Sequence, residues 1–204
     1  MADIIFIESF LNRHGVEGPR QTRGYIPCRP RNFTGVNQNP AGYTVIGASG
    51  VTIATGCDLG QTDVKTLESY GLSSAIISPL IPYLGKKKNA AIQKLAAMPL
   101  FVSENVAAEI DYHVHRGYLD LWVRPAYERD SGGVKFDDLP KEAQTVVFSC
   151  CYQKGCGGVR SEWPILWGFL TKQDWKGASR ELITGFKEYA DRRRMEGELL
   201  KGLA

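Results

Sequence analysis

The chain has 204 residues, 43% of them hydrophobic and 23% charged, a balance that fits one substantial globular domain and excludes a disordered or fibrous polymer. Its formal net charge is +3, and its basic runs, Lys86-Lys87-Lys88 and Arg192-Arg193-Arg194, are too short and too far apart for a nucleic-acid binder. No apolar run approaches the roughly 20 residues needed to span a bilayer. The stretch Met1-Ala2-Asp3-Ile4-Ile5-Phe6-Ile7-Glu8 has an acid where a signal peptide carries basic residues. The expectation is therefore synthesis in the cytoplasm without a signal peptide.

In chain order, residues 3 to about 15 read as a short helix rich in Ile and Phe, stopped around Gly15 and Gly18-Pro19. The stretch from Tyr25 to Gly60 is dense in Pro, Gly and Asn. Within it, Tyr43-Thr44-Val45-Ile46 and Val51-Thr52-Ile53-Ala54-Thr55 are β-branched runs joined by Gly47-Ala48-Ser49-Gly50, which predicts a hairpin. After Gln61 the pattern is helical. Thr62 is placed to cap a helix that Gly71 ends. Ser103 and Glu104 open a longer helix with Val106, Ile110, Val114 and Leu121 on one stripe. Asp138 and Pro140 begin another, with Ala143, Val146, Val147, Cys150 and Cys151 at core-face spacing. Two more amphipathic segments follow from Trp163. The fold class is α+β, mostly α-helical, as one domain over 1–204. Residues of about 15–65 form a small hairpin-containing lobe; about 66–204 plus the N-terminal helix form a larger helical lobe, with a cleft expected between the two.

Five cysteines (Cys28, Cys57, Cys150, Cys151, Cys156) cannot all pair internally, and their spacing matches no standard zinc pattern. Cys150 falls on an apolar stripe and reads as a small buried thiol. Cys28 and Cys57 can meet only if their loops are adjacent, which the sequence leaves open. His113 and His115 are two apart on a helix and face different directions, so neither a metal site nor a nucleophile's base is expected from them.

Carboxylates are the remaining source of chemistry. Glu17 stands where the first helix runs out, next to Gly18, free to project; a Glu at a helix end is more often plain surface. Glu8 is its rival, but lies mid-helix, where a solvated face is the usual fate. In Gly50-Val51-Thr52-Ile53-Ala54-Thr55-Gly56-Cys57-Asp58-Leu59-Gly60, Thr52 and Asp58 share a face of an extended strand. They would then lie roughly 20 Å apart, so joint action requires a bend, for which Gly56 supplies the freedom. The plainer alternative is a hairpin with a turn aspartate.

These residues carry a resemblance. The chain resembles the phage-type lysozymes, and most closely their bacterial toxin branch, the pesticin-like lysozyme domains. The matching features are Glu17-Gly18 with Tyr25-Ile26-Pro27, then Ser49-Gly50-Val51-Thr52 through Asp58-Leu59-Gly60. Further on come Pro82-Tyr83-Leu84-Gly85, Leu139-Pro140 through Gln144-Thr145-Val146-Val147, Phe169 through Trp175, and Arg192-Arg193 through Glu196 and Leu199-Leu200. The chain departs from the pattern in its long stretch between Glu17 and Thr52, and in Cys57, where Gly or an aromatic is expected.

The resemblance implies a two-lobed muramidase that cuts between N-acetylmuramic acid and N-acetylglucosamine, with no metal or organic cofactor. Carried over by position, Glu17 is the general acid, Asp58 the second carboxylate and Thr52 the group that helps place a water. Attack from the face opposite Glu17 inverts the anomeric centre. Asp58, expected to be solvated and near hydroxyls, stays ionised. Tyr25, Tyr43 and Gln144 are the candidate substrate-binding residues; from residue type alone Tyr25, Tyr43, Trp122 and Trp163 can stack on sugar rings, although single aromatics are more often core. The expected partner is the peptidoglycan glycan strand, met by a monomer after delivery or lysis in the periplasm or cell wall of a target bacterium. An immunity protein and a delivery or secretion component accompany that picture; nucleic acid and membrane insertion do not. Two other readings remain: a glycan-binding module without catalysis, and a cysteine-dependent peptidoglycan amidase using Cys57 or Cys156.

Overall fold

The computed structural model describes residues 2–203. They form an α+β, mostly helical fold of two compact units, one of residues 17–117 and one of residues 2–16 with 118–203. The sequence puts the lobe boundary near residue 65, whereas the first unit runs on to Gly117. The reason is that residues 85–101 are tied to the strand that holds Gly24 and to the segments flanking the strands Thr52–Ala54 and Cys57–Asp58. Lys88 N donates to Ser49 O (3.0 Å), Gly85 N to Leu59 O (3.0 Å) and Gly24 N to Leu100 O (2.9 Å).

The unit of residues 17–117 holds two small sheets. Strands β1 (Gln21–Tyr25), β4 (Thr52–Ala54) and β5 (Cys57–Asp58) form an antiparallel sheet in the order β1-β4-β5. Strands β2 (Cys28–Arg29) and β3 (Thr44–Val45) pair with each other. The hairpin expected between residues 43–46 and 51–55 is therefore not made: both runs are extended, but each pairs elsewhere. Gly47-Ala48-Ser49-Gly50 cannot act as its turn because Gly50 is pressed into a crossing with other backbone. A Cβ on Gly50 would lie 2.5 Å from both Gly60 Cα and Lys86 O. Around the sheets run α2 (Val64–Ser69), α3 (Ser74–Ile77), α4 (Lys88–Ala97) and α5 (Glu104–Tyr118), the last of which belongs to this unit through Gly117. The cap of α2 is Asp63, whose Oδ1 accepts from Thr66 N (2.8 Å), and not Thr62. An aspartate three residues before an amide is the better acceptor there. Ser103 does cap α5, its Oγ accepting from Val106 N at 3.2 Å.

The other unit begins with α1 (Ile4–Leu11), capped by Asp3 and burying Ile7, Phe10 and Leu11. It continues with α6 (Arg124–Asp130), α7 (Lys141–Lys154), α8 (Cys156–Glu162), α9 (Pro164–Thr171), α10 (Trp175–Thr184) and α11 (Ala190–Lys201). Where two segments are expected beyond Trp163, there are three helices. Ala143, Val146, Val147, Cys150 and Cys151 of α7 are all buried, as their spacing predicts. Leu121 is 47% exposed instead of core. Residues Leu119–Val123 wind as a π-helical turn, which rotates the stripe so that Leu119 and Val123 face inward. Every cysteine is a free thiol, Cys28, Cys57, Cys150 and Cys151 buried and Cys156 half-buried. Cys150 sits in more polar company than a plain hydrophobe, accepting from Arg193 Nη1 at 3.3 Å.

Candidate active site

The site is a row of side chains across the three-stranded sheet. Tyr25 on β1 is the register partner of Thr52 on β4, and Thr52 is the partner of Asp58 on β5. Directly opposed residues of an antiparallel pair point to the same face with Cβ atoms about 4.5–5.5 Å apart. Tyr25, Thr52 and Asp58 thus stand side by side. The bend that joint action demands is present. Ile53 opposes Cys57, and the chain reverses through Ala54-Thr55-Gly56 with Gly56 at φ +80°.

Glu17 meets this sheet at the turn. A Cβ built on Gly56 would lie 2.7 Å from Glu17 Oε2 and 3.1 Å from its Cδ, so the carboxylate rests on the bare Cα of Gly56. Any side chain at 56 would displace it and would also be strained at that φ. Glu8, the rival acid, lies on α1 in the other unit.

Asp58 is held by neutral dipoles. Its Oδ1 accepts from Gly60 N at 2.8 Å and from Gly50 N at 3.0 Å, while Oδ2 receives the longer 3.3 Å approach of Gly50 N. Burial raises its pKa above the ordinary carboxylate value, opposed by those amides, by Gln61 and by the charge of Lys87. Thr52 does stand beside it as expected, but the expected solvated setting is corrected: the carboxylate is partly withdrawn from water and seated on backbone N–H groups, with more affinity for a proton than an exposed aspartate has. Burial, and then the nearby charges of Glu17 and Asp58, push the Tyr25 phenol well above its ordinary value. Tyr25 therefore keeps its proton and lies within electrostatic reach of both carboxylates.

Two expected substrate contacts do not join this row. Tyr43 lies beside the separate β2–β3 pair, edge-on to Phe33 at 5.0 Å, its hydroxyl accepting from Arg31 Nε at 3.2 Å. Gln144 is 3% exposed and its amide is consumed inside the helical unit. Oε1 accepts from Asp3 N (2.9 Å), and Nε2 donates to Leu139 O (3.0 Å) and Phe136 O (3.3 Å). Gln144 ties the start of α7 to the start of α1 and has no donor left for a sugar.

Cys57 stands apart from this row. It alternates with Asp58, so it points to the opposite, buried face, 5% exposed. Burial, with Asp111 and Asp58 nearby, pushes its thiol up to about 12. A thiol held protonated is a poor nucleophile, which argues against the amidase reading at this position. The contributors invisible to the sequence reading are the Gly50 and Gly60 amides and Asp111 on α5. The last had a usable signal. Asp111 shares a helical stripe with Ala107 and Val114, both buried, and an acid on an apolar stripe needs partners.

Two carboxylates and a threonine thus stand at one small sheet of a helix-rich fold. Residues 6–176 match the Pesticin family, described as "bacterial toxin homologue of phage lysozyme, C-term", and the chain belongs to that family. No curated protein matches it. Among the described residues, no helix is long and apolar enough to cross a membrane.

Proposed function

We propose that the chain is a muramidase that hydrolyses the β-1,4 bond between N-acetylmuramic acid and N-acetylglucosamine with inversion. The observation that carries this reading is the Tyr25–Thr52–Asp58 row with the Glu17 carboxylate seated at its turn. Glu17 gives its proton to the glycosidic oxygen as the bond breaks. Asp58 Oδ2, the oxygen less engaged by backbone amides, takes a proton from a water that the Thr52 hydroxyl helps to place. That water attacks the anomeric carbon from the far face, so the product carries the opposite configuration. Desolvation makes Asp58 the stronger base, and the Gly50 and Gly60 amides keep its charge from becoming prohibitive. Tyr25 offers a protonated phenol to the sugar. Acid and base assistance of this kind supplies roughly 10²- to 10⁴-fold each.

The biological setting that fits is an antibacterial toxin acting on peptidoglycan in the periplasm or cell wall of a target cell, with an immunity protein in the producer. The family's description as toxin homologues supports this over a binding module, which needs no acid. The mild positive charge suits an anionic polymer.

Turbidity clearing of purified cell walls, with mass spectrometry of the fragments, tests the reading. New reducing ends on N-acetylmuramic acid are expected. New ends on N-acetylglucosamine, or free stem peptides, would replace muramidase with glucosaminidase or amidase. Glu17→Gln keeps the shape of the side chain but has no proton to give, and should lower the rate at least about 100-fold with the fold intact. Glu8→Gln should retain most activity; the reverse pattern would move the acid to Glu8.

A further inference from the structure

Asp111 is 2% exposed on α5 and is saturated by two segments distant in sequence. Its Oδ1 accepts from Thr55 N at 2.8 Å, and its Oδ2 accepts from Thr55 Oγ1 at 2.8 Å and from Arg20 Nε at 2.7 Å. Arg20 lies three residues after Glu17, at the entry to β1. Thr55 lies three residues before Asp58, in the turn whose next residue, Gly56, supports the Glu17 carboxylate. All of these residues belong to the unit of residues 17–117. One buried carboxylate thus clips the segment that carries the acid to the turn that precedes the base.

We propose that Asp111 is a positioning residue for the hydrolysis, which fixes the Glu17 carboxylate relative to Asp58 by holding Arg20 and Thr55 together. The proposal rests on the muramidase reading above. The chemistry of the clip requires a carboxylate. Three donors converge on two oxygens, so an amide at 111 would turn an N–H toward Arg20 or Thr55 and lose an acceptor. The consequence is geometric: displacement of about 1 Å at a reacting group costs on the order of 10²-fold in rate. Because substrate is bound by other groups, the loss belongs in kcat and not in KM.

A clip that only stabilises the fold would lower the melting temperature and leave turnover intact in the folded fraction. Thr55→Val and Arg20→Met separate the two roles, since each keeps most of the side chain's bulk and removes one bond to Asp111. With soluble glycan fragments as substrate, well below the melting temperature, both variants should lower kcat about 10- to 100-fold with KM within about twofold of wild type. Thr55→Ser, which restores the hydroxyl, should recover most of the loss. Asp111→Asn should be impaired at least as strongly if it folds; the proposal stands on the other variants if it does not. Wild-type kcat in both Thr55→Val and Arg20→Met, whatever their melting temperatures, overturns the clip while leaving the muramidase reading in place. A wild-type chain that leaves walls and fragments intact overturns the muramidase reading, and the positioning role with it.

Discussion

The two units bury carboxylates in opposite ways. In the helical unit Glu196 is fully buried between two guanidinium groups, with Arg193 Nη1 at 2.9 Å and Arg192 Nε at 3.2 Å, and Ser149 Oγ donating at 2.6 Å. In the sheet-bearing unit Asp58 makes no ion pair among the described residues and feels Lys87 only at a distance; backbone amides of Gly50 and Gly60 hold it instead. A carboxylate locked by full charges is fixed in place and spent on structure. One seated on neutral dipoles keeps a lone pair and a proton affinity available, which is what chemistry requires. Asp111 stands between these extremes, paired with Arg20 yet bonded to the turn beside the site.

The contrast breaks most visibly at Glu196. Glu196→Gln leaves two buried guanidinium groups short of a partner and should cost roughly 3–5 kcal/mol of stability, read as a lowered urea midpoint. Folded protein should still lyse walls at close to the wild-type rate. A stable but inactive Glu196→Gln chain would put this cluster in the chemistry and erase the distinction.

Asp58→Asn should do the converse, lowering the rate by about 100-fold or more while stability at neutral pH rises slightly. The sign follows from the raised pKa. A folded-state value above the ordinary 3.8 means that protonation favours folding. That stabilisation is complete below 3.8 and is lost as pH climbs through the raised folded value. The ionised aspartate is therefore a burden at neutral pH that the amide removes. The melting-temperature advantage of Asp58→Asn should grow from pH 4 to pH 7; an advantage that shrinks over that range would contradict the burial-dominated shift.

The smallest effect sharpens the comparison by leaving function alone. Tyr189, which leads into α11, holds a left-handed φ of +54° and is exposed. Tyr189→Gly removes that strain and should stabilise the helical unit by about 1 kcal/mol, measured by urea unfolding, with lysis unchanged.

The sequence was legible where structure is local. Helix stripes such as Ala143–Cys151 are read from spacing, because each position is fixed by its own turn. The join of Thr52 to Asp58 was legible too, since chemistry demanded a bend and Gly56 was there to make it. Strand pairing was not. Residues β2, β3 and β5 span only two positions each, too short for a pattern to choose partners, and their pairing is decided by distant crossings such as Gly50 under Lys86. The π turn at Leu119–Val123 was equally hidden, as one inserted residue per turn leaves no mark on composition. Gln144 misled for the same reason: its partners at Asp3 and Phe136 exist only once the chain has folded.

The pairing of Cys28–Arg29 with Thr44–Val45 closes the long excursion between them at its base. Gly35, midway along it, sits with no room for a Cβ against Leu95 O, while Asn39, Pro40, Ala41 and Gly42, which lead into β3, are exposed. That exposed stretch is open to insertion. Doubling the length of a closed loop costs only about 0.6 kcal/mol, and the pair that closes this one is separate from the β1-β4-β5 sheet. A peptide inserted at residues 40–42 should leave Glu17, Thr52 and Asp58 in their seats.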